Sequence, residues 1–303
     1  MAISRGQLVK ELEPGLNALF GLEYKRYENQ HAEIYTTESS DRAFEEEVML
    51  SGFAQAQTKS EGAGVVFDNA QETYTARYTH ETVALAFSIT EEAIEDNLYD
   101  RLASRYTKAL ARSMANTKQV KAVAPLINGL PTNDAFDSGD GVSLFNTAHP
   151  TIAGTVANTL ITQADLNETS LEQSLIDIAA MTDERGLKIA ARGVKMIVPS
   201  ELQFTAERLM KSQGRVGTAD NDINAIVSMG MVPQGYRVNN FLTDPDAFYI
   251  ITDVPNGMKY FDRASIKTAM EGDFDTGNVR YKARERYSFG VSDFRGIFGV
   301  EGA

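Results

Sequence analysis

The chain has 303 residues, 43% hydrophobic and 23% charged, a composition that fits a globular protein of about two domains and excludes disordered and fibrous classes. Its 42 acidic residues outnumber 29 basic ones, for a net charge of −13, which argues against a protein that binds nucleic acid by neutralising phosphates. The absence of cysteine excludes disulfides, thiolate metal sites and thiol nucleophiles. The opening residues lack a signal peptide's apolar core, and no segment predicts a membrane span.

Residues 1–45 are predicted to form an arm rather than a domain. A short amphipathic helix is expected over 7–20, interrupted near Pro14 and Gly15, and a polar stretch follows it. The larger side chains beyond the helix are too widely spaced to form a core alone. We therefore expect them to pack outside the arm, for example on another subunit: Tyr24, Tyr27, Ile34, Tyr35 and Phe44.

Residues 48–83 predict a long β-hairpin with a glycine-rich tip over 59–64. In the returning limb, apolar and polar residues alternate, which is typical of a strand with one covered face. The apolar face carries Tyr74, Ala76 and Tyr78, and Arg77 lies on the other face. A two-stranded ribbon of this length is marginal by itself, so it needs a partner surface.

A long helix is predicted from Thr90 to Ala124, a rod of about 50 Å. Acidic residues crowd its beginning, while Lys118 and Lys121 lie near its end, and both arrangements favour the helix dipole. Pro125 disfavours helical geometry at the preceding residue, so we expect the helix to end there. Apolar residues at four-residue steps wind round the helix, as expected for a spine that contacts different layers.

A compact α/β region is predicted after the loop-rich residues 128–154. Its first helix, 166–185, has Asp165 and Glu168 in the spacing of a capping box and Gly186 as its stop. The further predicted elements are helices over 201–211 and 222–229 and strands over 194–198, 236–239, 248–252 and 258–261.

The last predicted strand, residues 279–291, has an apolar face and a face with four cations. This basic stripe consists of Arg280, Lys282, Arg284 and Arg286. One interpretation is a solvated strand face. The other is that the stripe pairs with acids of a neighbouring chain, such as Glu45, Glu46 and Glu47, because four like charges along one strand repel one another.

Motifs for catalysis or metal binding are weak. The three histidines, His31, His80 and His149, have no ligand-like neighbours in sequence. Residues 214–218 resemble a phosphate-binding loop but lack its Gly-Lys-Ser/Thr ending, and Asp134, Asp137 and Asp140 have the wrong spacing for a calcium loop. We therefore predict no metal, no cofactor and no enzymatic activity. A hydrolase that uses carboxylates, such as Asp244 and Asp246, is the alternative from another class.

The order of arm, hairpin, spine helix, α/β region and returning strand resembles the major capsid proteins of tailed bacteriophages, which have the Hong Kong 97-type fold. Sequence segments across nearly the whole chain are similar to one branch of that family: SDRAFEEEVMLSGF, YTARYTHETVALAFSITEEAIEDNLY, NTAHPT, GTADNDINAI, TDPDAFYIITDVPNGMKYF and GDFDTGNVRYKARERYSFGVSDFRGIFG.

The resemblance implies an α+β fold with an N-terminal arm (1–45), an extended E-loop (46–88), a P-domain (89–140 and 252–303) and an A-domain (141–251). It implies a virion protein, made in the bacterial cytoplasm, that assembles as hexamers and pentamers into an icosahedral head. Packaged double-stranded DNA is enclosed without being read, and a portal, a separate scaffold and decoration proteins are the other expected partners. An encapsulin-like compartment is the alternative within the same fold.

The resemblance also raises the question of a covalent link between subunits, because some relatives form a lysine–asparagine isopeptide bond. Lys59, near the E-loop tip, is the candidate lysine, but neither a partner asparagine nor an acidic catalyst is evident. The candidate intersubunit contacts are Glu45, Glu46, Glu47, Lys59, Arg77, Arg280, Lys282, Arg284 and Arg286.

Overall fold

The computed structural model describes residues 5–90, 92–93, 99–133, 136–214, 223–273 and 277–303. The helices in these ranges are α1 (Arg5–Arg26), α2 (Tyr99–Asn128), α3 (Glu168–Ala180), α4 (Gln203–Lys211) and α5 (Ala225–Ser228), with 3₁₀ turns at Gln30–Glu33 and Phe294–Gly296. The strands are β1 (Thr36–Ser39), β2 (Phe44–Leu50), β3 (Glu72–Thr79), β4 (Glu81–Ile89), β5 (His149–Thr151), β6 (Gly154–Val156), β7 (Gly193–Val198), β8 (Tyr236–Val238), β9 (Phe248–Thr252), β10 (Met258–Gly272), β11 (Val279–Val291) and β12 (Ile297–Val300).

Two four-stranded sheets organise these elements into an α+β fold. The long sheet has the order β1-β10-β11-β4, and the second sheet has the order β12-β9-β7-β8. Helices α1 and α2 pack on one face of the long sheet, where Phe20, Met114 and Tyr281 share an apolar cluster. The second sheet forms its own core with α3, in which Ile178 and Phe248 are fully buried. The fold therefore has one core for each sheet.

The spine helix differs from its prediction at its end. Helix α2 continues through Pro125 to Asn128, so the expected stop at Pro125 is wrong. A proline inside a helix removes one backbone hydrogen bond, but Ala122, Val123 and Leu126 around it are almost completely buried, and this packing holds the last turn in place. The 30 residues of α2 span about 45 Å. Most of the predicted beginning, residues 90–98, lies outside the described residues.

The larger side chains of the arm pack outside the arm as predicted, and the surface that buries Ile34 and Tyr35 is the body of the same chain rather than another subunit. Helix α1 is continuous through Pro14 to Arg26. Ile34 and Tyr35 are each 5% exposed, and the Tyr35 hydroxyl donates a hydrogen bond to the Ala122 carbonyl of α2 at 2.6 Å. Strand β1 then pairs in parallel with β10. These partners lie more than 80 residues away in sequence, so the local spacing of aromatics gave no sign of them.

The predicted hairpin is divided into three parts: the paired strands β2 and β3, the irregular residues between them, and β4. Its paired strands are only β2 and β3, whereas β4 leaves the hairpin and pairs with β11 in the long sheet. The division falls at buried His80, whose two ring nitrogens lie 2.9 Å from the hydroxyls of Ser288 and Ser40. Residues 51–71 between the strands have no regular structure. The predicted facing of β3 is confirmed, since Ala76 and Tyr78 are buried.

Helix α3 begins later and ends earlier than predicted. Its N-cap is Asn167, whose side chain accepts from the Ser170 amide, while the Ser170 hydroxyl accepts from the Asn167 amide. This is a capping box formed by residues other than the expected Asp165 and Glu168. The helix ends at Ala180, well before the predicted stop at Gly186. Strand β10 is much longer than the predicted 258–261.

Lys259 joins the arm and the hairpin to the long sheet. Its side chain is 7% exposed, and its ammonium group lies 3.0 Å from Glu38 on β1 and 2.5 Å from Glu47 on β2. Each of the three residues lies on a different strand. A buried cation with two carboxylates is costly to break, because removing one partner leaves the others desolvated without compensation. This cluster therefore fixes where the arm and the hairpin leave the body.

Replacing Lys259 tests this arrangement. We expect Lys259→Met to lower the free energy of unfolding by about 2 kcal/mol, because two carboxylates lose their cation. Lys267→Met is the matched control on the same strand, since Lys267 is exposed and its substitution should change stability by less than about 0.5 kcal/mol. Urea denaturation of both variants measures the difference, and equal losses would refute the role given to Lys259.

Candidate assembly interface

The basic stripe lies on the open face of the long sheet. Burial alternates along β11, with Tyr281 and Ala283 covered by α1 and α2 and the stripe residues on the other side. Arg280, Lys282 and Arg284 are exposed and Arg286 is half-buried. The predicted two-faced strand is therefore confirmed.

The neighbouring strand β10 adds a positive charge beside the centre of the stripe and a negative charge at its end. Lys267 lies directly opposite Arg284, Ala269 lies opposite Lys282, and Glu271 lies opposite Arg280. On the other side, β4 places Ala84 and Ala86 next to the stripe. Small side chains leave the cations uncovered, and the facing pair of like charges is unfavourable. Lys267 was absent from the sequence prediction because β10 was predicted to end at residue 261.

Two stripe residues have partners within the chain. Arg280 forms an ion pair with Asp273 at 2.5 Å, and Arg286 donates to the carbonyl oxygen of Ala43 at 3.4 Å. For Lys282 and Arg284, the described part of the chain supplies no ion pair. The centre of the stripe is thus an exposed, unneutralised pair of cations.

The three glutamates proposed as partners of the stripe all have contacts in their own chain. Glu45 accepts from the Ser40 hydroxyl at 2.7 Å, and Glu47 pairs with Lys259. Glu46 lies opposite Arg77 in the β2–β3 register, with 3.7 Å between their charged groups. The structure therefore brings together two predicted contact residues, Glu46 and Arg77, but within one chain.

Residues 51–71, which we call the extended loop, expose a series of large apolar side chains. The loop is closed at its base, where the Ser51 amide donates to the Gln71 carbonyl at 2.9 Å and Asp68 accepts from the Ala54 amide at 2.7 Å. Lys59 is exposed near its tip. The exposed apolar residues at and within the loop are Leu50, Phe53, Val65, Val66 and Phe67, the last 92% exposed. An uncovered apolar segment of this size is typical of a protein–protein contact.

The apolar face of β11 carries one acid that sequence reasoning missed. Glu285 is 1% exposed and its carboxylate lies 3.5 Å from Lys118 of α2 and accepts from the Tyr24 hydroxyl of α1 at 3.1 Å. Burial raises the pKa of this carboxyl above its usual value, against the opposing effect of Lys118. The sequence did carry a signal for it: in the alternation of faces along β11, Glu285 falls on the apolar face between Ala283 and Tyr287. Glu285 connects the arm, the spine and the long sheet.

His149, in the NTAHPT segment, is completely buried between two hydrogen-bond acceptors. Its Nδ1 lies 2.6 Å from the Asp140 carboxylate and its Nε2 lies 3.0 Å from Oδ1 of Asn158. The Asn158 amide nitrogen donates to the carbonyls of Leu144 and Phe294, which fixes its oxygen toward the ring. The ring is therefore held from both sides, by Asp140 at Nδ1 and by Asn158 at Nε2. Because Nε2 faces Asn158, this histidine is not placed to activate a nucleophile.

The electrostatics of Asp140 reflect the same contacts. Burial alone would raise the pKa of its carboxyl, but hydrogen bonds from His149 and Ser138 outweigh burial and lower the pKa below its usual value. The His149 ring also stacks on Phe294, with 3.8 Å between ring centroids. The hydrogen bond and the ring stack together hold the loop before β5 against the C-terminal 3₁₀ turn.

The remaining sequence candidates do not assemble into a site. Burial lowers the pKa of His31 to about 4, and Gln119 hydrogen-bonds its Nδ1. Asp137 caps a turn by accepting from the Gly139 amide. Within the described ranges, no three histidine or acidic side chains lie close enough to hold a metal ion. Asp134 and most of the loop 214–221 lie outside those ranges.

Comparison with solved structures identifies the fold. A virus-like particle protein from Pyrococcus furiosus aligns over 94% of this chain and 98% of its own, with a TM-score of 0.51 and 10% identity. The capsid of Myoviridae phage XM1 aligns over 89% of both chains, with a TM-score of 0.55 and 10% identity. The capsid of cyanophage P-SCSP1u aligns over 89% of this chain and 86% of its own, with a TM-score of 0.56 and 11% identity. The chain thus has the Hong Kong 97-type fold of capsid proteins.

The family follows from the sequence match. A family model described as phage capsid protein matches residues 73–300, and the chain belongs to that family. It is a capsid shell protein, a structural component of the phage head. No curated protein matches the chain in sequence. None of the helices in the described ranges is both long and apolar enough to cross a membrane.

Replacing His149 tests this buried contact. His149→Gln should lower the free energy of unfolding by about 3 kcal/mol, because the buried Asp140 carboxyl loses its hydrogen-bond partner and Phe294 loses the ring stacked on it.

His80→Gln is the matched control for this substitution. His80 is similarly buried but faces two neutral hydroxyls, so its loss should cost only about 1 kcal/mol. The same loss of unfolding free energy in both variants, measured by urea denaturation, would contradict the role given to His149.

Proposed function

We propose that this protein is the major capsid protein that assembles as hexamers and pentamers into an icosahedral shell around packaged double-stranded DNA. The observation that carries the proposal is the extended loop. Its base is closed by hydrogen bonds, and its large apolar side chains are exposed to solvent in the described part of the chain. A portal, a separate scaffold and decoration proteins are the further partners. The proposed organisation is an arm (1–45), an E-loop (46–88), a P-domain (89–140 and 252–303) and an A-domain (141–251).

The extended loop supports assembly through the cost of leaving it uncovered. Burial of Phe67, Val65 and Val66 away from water would be favourable for each side chain. Ordering an irregular segment of this length carries a large entropic cost. A neighbouring subunit that covers the loop offsets both costs. The loop base is tied to the body by Arg185, which donates to the Asn69 carbonyl at 2.6 Å, so the loop projects from a fixed point.

The basic stripe supports a second contact between subunits. Lys282 and Arg284 are exposed without an ion pair in the described part of the chain, and Lys267 adds a third charge beside them. In a chain with a net charge of −13, acidic surface of another copy is abundant. Charge complementarity of this kind fixes the register of a contact more than it adds affinity.

Removing the extended loop tests its role. A variant in which residues 55–67 are replaced by two glycines should keep its free energy of unfolding, because Ala54 and Asp68 already lie side by side and no buried contact is lost. We expect soluble subunits that form no closed shells under the electron microscope. Glu61→Ala, a change at an exposed residue of the same loop, should assemble normally. An aggregated deletion variant would place the loop in the subunit's own core and contradict the proposal.

Reversing one charge tests the stripe. Arg284→Glu should leave the melting temperature of free subunits near that of wild type, because it also relieves the repulsion with Lys267. In an interface with acidic residues, the new glutamate would place like charges together, at a cost on the order of 3 kcal/mol per contact. Shells should therefore not form. Lys108→Glu makes the same charge change on the exposed side of α2 and should assemble. Normal shells from Arg284→Glu would leave the stripe as a solvated strand face.

A further inference from the structure

A cavity of about 360 Å³ lies at the base of the extended loop. Four segments meet there: the end of β2, the loop after α3, the turn between β9 and β10, and the 3₁₀ turn after β11. Apolar side chains form much of its wall: Met49, Leu50, Ile189 and Val254. The remaining lining is strongly charged, which distinguishes this cavity from an ordinary packing defect.

Four carboxyl groups and one guanidinium line the same cavity, a formal charge of −3. The acids are Asp183, Glu184, Asp253 and Asp293, and the cation is Arg295. Arg295 is already engaged, because its guanidinium lies 2.7 Å from Glu184 and 3.2 Å from Asp293 and its Nε donates to the Thr182 carbonyl. Two of the acids, Glu184 and Asp293, are buried, whereas Asp183 is half-buried and Asp253 is exposed at the rim. The acids therefore outnumber the one cation that lines the cavity.

Glu184 and Asp293 each show that the cavity is short of positive charge. Glu184 is 2% exposed, and its Oε2 has no hydrogen-bond partner among the described residues. Burial raises the pKa of the Asp293 carboxyl above its usual value in spite of Arg295. Unpaired charge in such a position is costly unless a cation completes it.

The two acids at the rim can accept further donors. Asp183 uses Oδ1 to accept from the amides of Arg185 and Leu187, and Asp253 uses Oδ1 to accept from the Arg192 amide. These backbone contacts hold both carboxylates in place. Their positions are set by the fold before any ligand arrives, which lowers the entropic cost of binding.

We propose that this acidic cavity binds an alkylammonium or alkylguanidinium group, and that in the shell the group is a lysine or arginine side chain of a second copy of this chain. The apolar wall suits the methylene stem of such a side chain, and the carboxylates suit its charged head. Lys282 and Arg284 are exposed cations without an ion pair in the described ranges, so a second copy carries suitable groups. The choice of a second copy rests on the proposed assembly, whereas cation binding by free subunits does not.

Binding of small cations to free subunits tests the cavity. We use n-butylguanidinium and n-butylammonium as probes, with n-butylurea as the uncharged analogue, and follow the methyl NMR signals of Ile189 and Val254. Both cations should shift these signals in a saturable way, and the shifts should weaken with added salt. Absence of shifts, or equal binding of n-butylurea, would overturn the proposal.

Conservative variants separate the rim charges from the fold. The double variant Asp183→Asn with Asp253→Asn keeps the oxygens that accept from the backbone and should weaken cation binding about tenfold. Asp244→Asn is the matched control, because Asp244 also caps a loop by accepting from backbone amides but lies outside the cavity. Equal affinity in the double variant and the control would overturn the assignment of the rim acids.

Assembled particles identify the source of the cation. A side chain of a second copy would fill the cavity in the shell, so particles should no longer bind n-butylguanidinium. Particles that bind it as well as free subunits do would overturn the second copy as the source and leave a site for free amines. If the chain forms no shells at all, the proposed assembly fails, while the measurements on free subunits still decide whether the cavity binds cations.

Discussion

The antiparallel pairing of β10 with β11 determines the position of most other elements. Parallel pairing with β10 places β1 of the arm, and pairing with β11 places β4 behind the hairpin. On one face, α1 and α2 bury the aromatic side of β11, and on the other face the cations of the stripe stay in water. Because side chains alternate along a strand, the same ladder that builds the core also produces the charged open face. The packed face and the face proposed for assembly are thus two sides of one sheet.

Buried charges stand at the junctions between parts of the chain. Lys259 joins arm and hairpin to the long sheet, Glu285 joins arm to spine, and Arg295 joins the C-terminal turn to the loop after α3. Hydrogen bonds of the buried His149 ring fix a further loop. Buried ion pairs of this kind add little to stability compared with apolar residues, but they tolerate few alternative arrangements. In a protein whose arm and hairpin lie at its periphery, they define where these segments leave the body.

The surfaces left open complement one another. The extended loop offers apolar side chains, the stripe offers cations, and the acidic cavity offers carboxylates beside an apolar wall. Among the described residues, each of these surfaces keeps groups without a partner, although Arg280 and Arg295 are paired within the chain. In the proposed shell, repeated contacts between identical chains would cover them.

Much of the fold was readable from the sequence, because regular elements leave periodic patterns. The two faces of β11 follow from strict alternation, the long α2 from its apolar steps, and the capsid family from the order of elements and the shared segments. The basic stripe was predicted for the same reason. Its neighbours Lys267 and Ala269 were not, because the outer half of β10 was not recognised as a strand.

Only the tertiary structure decided what depends on distant partners. Pro125 stays helical because Leu126 is buried in the core. The arm packs on its own chain because Tyr35 and its neighbours are covered by α2 and β10. The roles of Glu285 and His149 depend on Lys118, Tyr24, Asp140 and Asn158, which no local pattern relates to them. A periodic sequence determines which face of an element is apolar, whereas the identity of the surface that covers it depends on contacts between residues far apart in the chain.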